Sequence, residues 1–363
     1  MGPQLYIGLM SGTSLDGVDA VLADFGAAKQ LLAAHHQPFT ADLRAALWAL
    51  LQPGGDELAR AAKVAIELSR CYAAGVGALL RAANVDASLV RAIGCHGQTV
   101  RHCPEAGYSI QLVNGALLAE LTGLAVVCDF RSRDIAAGGQ GAPLVPAFHA
   151  AAFRHATLNR VIVNLGGIAN ITYLPTSGTI LGFDCGPGNA LLDEWSMAKR
   201  NVAFDADGAW AAQGTVLPDL LDALLAHPFF AEPPPKSTGR EAFNLTWASA
   251  FLDDSWPDQD VQTTFAELTA RGIANAILRW LGPVDQVYVC GGGTRNADLL
   301  GRIQSQLGAL PVAVTAALGV DPSHVEALAF AWLARERIEA RSGNLPAATG
   351  AAGPRSLGCV YRA

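Results

Sequence analysis

The chain has 363 residues, with 51% apolar and 16% charged side chains and a formal net charge of -7. That length and apolar content predict two domains with sizeable cores and exclude a disordered chain. The acidic balance argues against nucleic acid, which demands basic patches; no apolar run is long enough to span a membrane, and no basic segment followed by an apolar core opens the chain.

In chain order, a short apolar run (Leu5-Tyr6-Ile7) leads into a polar, Gly-rich turn over residues 8–19, and a second apolar run (Ala20-Val21-Leu22) follows. This reads as strand, turn, strand. Residues 41–51 and 56–83 are expected as helices, 90–95 as a strand, 114–122 as a helix and 124–128 as a buried strand. A helix begins at residue 145. Strands are expected at 160–164, 169–173 and 179–183, the first two joined by Gly166-Gly167. Asp184 closes the third and opens a Gly/Pro loop, after which a helix runs to about residue 200. Residues 229–246 are rich in Pro and Gly and read as an excursion. A helix over 260–281, a strand over 286–290 and a helix over 323–341 complete the main part. Ser323 with Glu326 three residues later has capping-box spacing. The Ala/Gly/Pro-rich tail ends in a last strand at 359–361. Alternation of strands and helices makes this an α/β protein. The seven scattered cysteines form no CxxC pair and read as reduced thiols of a cytoplasmic protein.

The first turn carries the most chemistry. Small residues let backbone N–H groups approach an anion. Thr13 and Ser14 add hydroxyl donors. Asp16 and Asp19 would repel a bare phosphate, so a divalent cation between them and the phosphate is implied. A nucleotide phosphate with Mg2+ held through water uses all of these parts, against the plainer reading of an ordinary hairpin turn. Residues 160–173 echo this strand, Gly turn, strand pattern, so Gly166, Gly167 and Asn170 form a second candidate phosphate hairpin. A duplicated fold with one such hairpin per half, clamping a nucleotide between lobes, produces that echo. Gly291-Gly292-Gly293 with Asn296 follows a strand, but no Lys-Ser/Thr comes after it, so it is no Walker loop. Its bare backbone suits an adenosine, or a helix entry.

Several longer motifs carry a resemblance. They are Met10-Ser11-Gly12-Thr13-Ser14-Leu15-Asp16-Gly17, Gly94-Cys95-His96-Gly97-Gln98-Thr99, Asp129-Phe130-Arg131-Ser132-Arg133-Asp134 with Gly138-Gly139-Gln140-Gly141-Ala142-Pro143, Asn164-Leu165-Gly166-Gly167-Ile168-Ala169-Asn170, and Gly182-Phe183-Asp184-Cys185-Gly186-Pro187-Gly188-Asn189. Lys236-Ser237-Thr238-Gly239-Arg240-Glu241 and Val289-Cys290-Gly291-Gly292-Gly293 extend the match. In this order they resemble the anhydro-N-acetylmuramic acid kinases, over nearly the whole chain; the tail from Leu345 is the least similar part.

The resemblance implies a two-lobed, actin-like (ribonuclease H-like, duplicated) ATPase fold with a nucleotide cleft between lobes. The expected lobes are residues 1–130, with the tail at about 343–363 packing back on them, and 131–342. It also implies a kinase that uses ATP to phosphorylate 1,6-anhydro-N-acetylmuramic acid while water opens the anhydro bridge. The product is N-acetylmuramic acid 6-phosphate, in peptidoglycan recycling. ATP contacts are expected from Gly12, Thr13, Ser14, Leu15, Asp16, Gly17, Val18 and Asp19, from Gly166, Gly167 and Asn170, and from Gly291, Gly292, Gly293 and Asn296. Asp16 and Asp19 act on Mg2+. Asp184 is the expected base, the other reading being a helix cap. Sugar contacts are expected from His96, Gln98, Arg133, Asn189 and Glu326. Arg131 competes with Arg133 for the lactyl carboxylate, since a guanidinium fork suits either. Glu326 is equally a capping-box residue, and His96 equally a structural histidine. The Lys236–Glu241 segment lines the cleft or lies in solvent. Rival functions are another sugar kinase on this scaffold, or an ATP-driven conformational switch. The partner is a small sugar; a homodimer is compatible with the sequence.

Overall fold

A computed structural model describes residues 4–12, 14–26 and 30–363. Its strands are β1 (Leu5–Met10), β2 (Gly17–Asp24), β3 (Leu31–Pro38), β4 (Val90–Cys95), β5 (Gln98–Cys103), β6 (Tyr108–Leu112), β7 (Val126–Cys128), β8 (Arg160–Leu165), β9 (Ile168–Leu174), β10 (Leu181–Pro187), β11 (Gln286–Cys290), β12 (Val312–Val314) and β13 (Cys359–Tyr361). The helices that matter here are α1 (Ala41–Leu50), α2 (Glu57–Ala83), α3 (Gly115–Thr122), α4 (Ser132–Ala136), α5 (Ala190–Arg200), α6 (Asp258–Trp280), α7 (Ala297–Leu307) and α8 (Val325–Ile338). No helix among the described residues is long and apolar enough to cross a membrane.

The chain divides into two compact units, Met1–Phe148 with His324–Ala363, and His149–Ser323. The first holds a six-stranded sheet in the order β13-β7-β4-β1-β2-β3, and the second a five-stranded sheet in the order β10-β9-β8-β11-β12. In each unit the first three strands form an antiparallel meander. The fourth strand returns parallel to the first, and the fifth parallel to the fourth. With its strands numbered within the sheet, each sheet therefore runs 3-2-1-4-5. The first adds β13 as an antiparallel edge beside β7. This is the duplication that the two hairpins announced. The lobe divisions, however, fall at 148/149 and 323/324 rather than at 130/131 and 342/343. The reason is α8, which packs on β1 and β4 and so belongs with the first sheet.

The central strands are nearly all apolar and buried on both faces, as parallel strands covered by helices must be: β1 reads Leu-Tyr-Ile-Gly-Leu-Met and β8 Arg-Val-Ile-Val-Asn-Leu. In the first unit Leu68, Tyr72 and Leu79 of α2 join Ile7, Leu9, Val18, Leu22 and Ile93 in one core. In the second, Phe265 and Ile273 of α6 join Val161, Val163, Ile171, Phe183 and Val289. Caps mark helix starts as expected: Thr40 accepts from the Leu43 N–H, and Asn114 from the Leu117 N–H.

Two expected boundaries shift. Ser323 does not cap α8. It sits in a 3-10 turn (Pro322–His324), its N–H donating to Asp321 Oδ1 at 2.9 Å, and His324 takes the cap position without a side-chain bond. The capping box is therefore absent, and Glu326 is free for another role. Asp184 lies inside β10 rather than at its end, just before a bulge between Asp184 and Gly186.

The seating of α8 is unusually close. Gly8 and Gly94 are neighbours across β1 and β4. A Cβ built on Gly8 would stand 1.8 Å from the Ala327 carbonyl oxygen, and one on Gly94 2.0 Å from that of Phe330. Backbone, not a flexible side chain, occupies that space. Gly94→Ala is expected to lower unfolding stability by about 3 kcal/mol or more, because the helix must move off the sheet. Gly301→Ala, in α7 with nothing within 4 Å of the added carbon, is expected to raise it by about 0.5–1 kcal/mol. Urea denaturation of the two variants checks both signs.

Candidate active site

The turn between β1 and β2 is braced from below. The Gly12 carbonyl accepts from the Leu15 N–H (3.3 Å) and from Gln98 Nε2 (3.1 Å). Ser11 Oγ bonds the Tyr72 hydroxyl at 2.6 Å and donates to the Gly97 carbonyl at 3.2 Å. Leu15 and Val18 are buried core residues, so only their backbone can face a ligand. Thr13 lies outside the described residues. Ser14 Oγ donates to Asp16 Oδ1 at 2.7 Å, and His36 Nδ1 bonds Asp19 Oδ1 at 2.9 Å from the facing position on β3. Among the described residues, the second oxygen of each carboxylate accepts no hydrogen bond. Among the described residues no group of three or more His, Cys, Asp or Glu forms a metal cage. A pair of carboxylates fits Mg2+, which keeps water and phosphate as its other ligands.

Gln98, expected at the sugar, is buried, and its Nε2 braces this turn. His96 beside it is also buried. Arg131 Nη2 donates to its Nε2 at 2.8 Å, while Arg131 Nη1 donates to the Gly141 carbonyl at 2.7 Å. The imidazole is therefore neutral, with Nε2 the acceptor; burial and then the Arg131 charge push its pKa down to about 3. Burial lowers Arg131 to about 10, against the pull of Glu326 and Asp134. Burial likewise raises Glu326, opposed by Arg131 and reinforced by Asp19. His96, Arg131 and Glu326 thus form one electrostatic group, whereas Arg133 is exposed. The fully buried Asp134 ties the Arg131 segment to the tail. It accepts from the Gly141 N–H (2.8 Å), Asn344 Nδ2 (2.7 Å) and Thr349 Oγ1 (2.8 Å).

In the second unit the Gly166-Gly167 turn joins β8 to β9. Its carbonyls accept the first N–H groups of the α5 entry: Gly188 and Ala190 to Gly167 (2.8 and 3.1 Å), Asn189 to Gly166 (2.9 Å). Asn189 Nδ2 adds bonds to the Leu165 and Gly166 carbonyls at 3.2 and 3.1 Å. Asn189, also expected at the sugar, bonds the turn through its Nδ2. Gly291 has a left-handed φ of 88° and donates to the Pro322 carbonyl at 3.0 Å. Gly293 packs on Leu165 and Asn189, so this loop and the turn share one wall. Asn296 caps α7, its Oδ1 accepting from the Leu299 N–H at 2.9 Å, which is the helix-entry reading.

Asp184, Asn170 and Asn164 stand side by side across β10, β9 and β8. The Asp184 carboxylate accepts from the Thr238 N–H (2.9 Å) and Ser237 Oγ (3.1 Å), both at Oδ2. Its own N–H donates to the Lys236 carbonyl at 3.1 Å. Burial raises its pKa to about 6, and the Thr238 and Ser237 bonds hold it from rising further. It caps no helix. Lys236–Thr238 is therefore docked on the aspartate, while Ser237 and Glu241 remain exposed. An aromatic cluster of Phe229, Phe230, Phe243 and Trp247 anchors the excursion, and Lys236 Nζ donates to the Phe229 carbonyl at 2.8 Å. Arg240 and Asp193 near the turn were not singled out as individual site residues by sequence reasoning; only their placement in three dimensions marks them. The arrangement offers a carboxylate with proton affinity near neutrality.

Comparison with known proteins gives one answer. A family model described as anhydro-N-acetylmuramic acid kinase matches residues 4–363. The chain is 54% identical over 361 residues to a protein of that name from Nitrosomonas europaea, covering 99% of both chains. It is 55% identical over 361 residues to one from Nitrosospira multiformis, again covering 99% of both. A third, from Pseudomonas paraeruginosa, is 51% identical over 360 residues with the same coverage. The chain belongs to the anhydro-N-acetylmuramic acid kinase family.

Proposed function

We propose that this chain is an ATP-dependent anhydro-N-acetylmuramic acid kinase of peptidoglycan recycling, acting in the cytoplasm. Asp184 is the observation that carries the mechanism: a partly buried carboxylate with one oxygen bonded to Ser237 and Thr238, and with Oδ1 without a partner among the described residues. In the proposed reaction Oδ1 takes a proton from water as its oxygen bonds to the anomeric carbon. The bond from that carbon to the bridging 6-oxygen breaks. The freed 6-oxygen bonds to the γ-phosphorus, and the bond to ADP breaks. Phosphoryl transfer asks the protein mainly for positioning and charge neutralisation. Gly12 to Asp19, Gly166, Gly167, Asn170 and Gly291–Gly293 are proposed to hold ATP through backbone N–H groups. Asp16 and Asp19 would hold Mg2+ through water, and Mg2+ when bound neutralises charge on the phosphates.

Arg131, not Arg133, is the proposed partner of the lactyl carboxylate. Its fork is fixed by His96 and the Gly141 carbonyl, so little freedom is lost on binding, whereas Arg133 lies in solvent. Glu326 beside it is proposed as a hydrogen-bonding partner of the sugar.

Product formed from ATP and anhydro-N-acetylmuramic acid in 18O-water tests the reading: the label is expected at the anomeric carbon and the mass gain is one phosphate plus one water. A kinase acting on an ordinary hydroxyl would leave the label out. Asp184→Asn is expected to lower kcat by about 10²–10⁴-fold while a nonhydrolysable ATP analogue still binds. Because the base must be unprotonated, kcat/KM of the wild type is expected to rise with pH through about 6 and then level off, and the variant is expected to lack that limb. Arg131→Lys is expected to raise the sugar KM by about tenfold, a charge-assisted fork being lost, with Arg133→Lys leaving it within about threefold.

A further inference from the structure

The Gly166-Gly167 turn is one-sided. Both carbonyls are tied back by Gly188, Asn189 and Ala190, while the N–H groups of Gly166 and Gly167 donate to nothing in the described chain. Against the turn lies a guanidinium. A Cβ built on Gly167 would meet Arg240 Nη2 at 2.8 Å and Nε at 2.9 Å, so the absence of a side chain there is what admits Arg240. Arg240 Nε is buried and without a hydrogen-bond partner. No carboxylate among the described residues forms an ion pair with Arg240. Asp193, which feels its charge, is held by burial at a pKa of about 7 and is an incomplete counter-charge at neutral pH. Donors gather here from backbone and side chain, and no acceptor answers them. A buried guanidinium edge left in that state is costly unless an anion arrives.

We propose that Arg240 is a phosphate-binding residue, its fork closing over nucleotide phosphate oxygens received by the Gly166 and Gly167 N–H groups. The inference rests on the kinase reading and adds to it a cation that no Gly-rich motif announces. An oxyanion at this turn could also be the sugar's carboxylate; the phosphate is favoured because the bare N–H groups and Arg240 together form a nest of donors suited to several oxygens at once.

The test uses full-length wild type, Arg240→Met and Arg240→Lys, with a nonhydrolysable ATP analogue in calorimetry and the anhydro sugar in turnover assays. Methionine keeps the packing on Gly167 and removes the fork, so a role in propping the turn alone predicts unchanged analogue affinity. The expected result is a loss of about tenfold or more in analogue affinity for Arg240→Met, an intermediate loss for Arg240→Lys, and a sugar KM within about twofold of wild type. Analogue affinity unchanged within twofold overturns the proposal, as does an effect confined to the sugar KM. If Met is not tolerated, Arg240→Lys, with charge but no planar fork, decides by the same two readouts. Wild-type protein that binds the analogue through Arg240 but makes no phosphorylated sugar would refute the kinase reading and leave the anion site standing.

Discussion

The constraint on which the site turns is the half-satisfied carboxylate of Asp184. Burial alone would drive its pKa far up and make it a permanent acid. Full hydrogen bonding at both oxygens would pull it down and make it a poor base. The Thr238 N–H and Ser237 hydroxyl engage Oδ2 only, so the group settles near a pKa of about 6 with Oδ1 unbonded. A base tuned this way is mostly ionised at neutral pH and still accepts a proton readily, which is the compromise general-base catalysis favours.

The repeated sheet explains how one scaffold can supply two unlike chemistries. In each unit a Gly turn joins the first two strands of the same 3-2-1-4-5 order. Polar residues face one another across the second and third strands near that turn: Asp19 opposite His36 on β2 and β3, Asn170 opposite Asp184 on β9 and β10. The first pair is partly exposed and cross-bonded, which suits a hydrated cation. The second meets a bulge and a docked loop, which suits proton transfer. The backbone plan is shared, and what differs is the covering placed over the third strand.

Much of this was legible in the residues because local chemistry dictated it. The central strands are continuous apolar runs and could be little else. The Gly turns, Asn114 at a helix start and Asp184 beside Gly186-Pro187 all announce their geometry locally. What stayed hidden depended on partners distant in sequence. β3 reads Leu-Leu-Ala-Ala-His-His-Gln-Pro, a weak strand signal, and is a strand because β2 lends it an edge. The Ser323 capping box failed because Asp321 captured the Ser323 N–H first. That Gln98 and Asn189 brace the two Gly turns was equally hidden, since the carbonyls their amides bond lie 86 and 23 residues away along the chain. The bond that fixes Arg131 comes from His96, thirty-five residues away along the chain.

The Lys236–Glu241 segment is where the sequence was least informative and the structure most so. As a string it is a mixed-charge stretch after four residues of Glu and Pro. In space, Lys236 to Thr238 extend along β10 and set the proton affinity of Asp184, while Arg240, two residues on, lies against the Gly167 turn. The groups that bond the Asp184 carboxylate and the Arg240 guanidinium are thereby carried by one short span, pinned at its start by Lys236 on Phe229 and at its end by the buried Phe243. A displacement of that span cannot change one function alone. Moving Thr238 away from Asp184 raises the carboxyl toward a protonated state, and the same movement draws Arg240 off the turn. With Asp184 and Arg240 in the roles proposed above, geometry of this kind couples the readiness of the base to the seating of the phosphate.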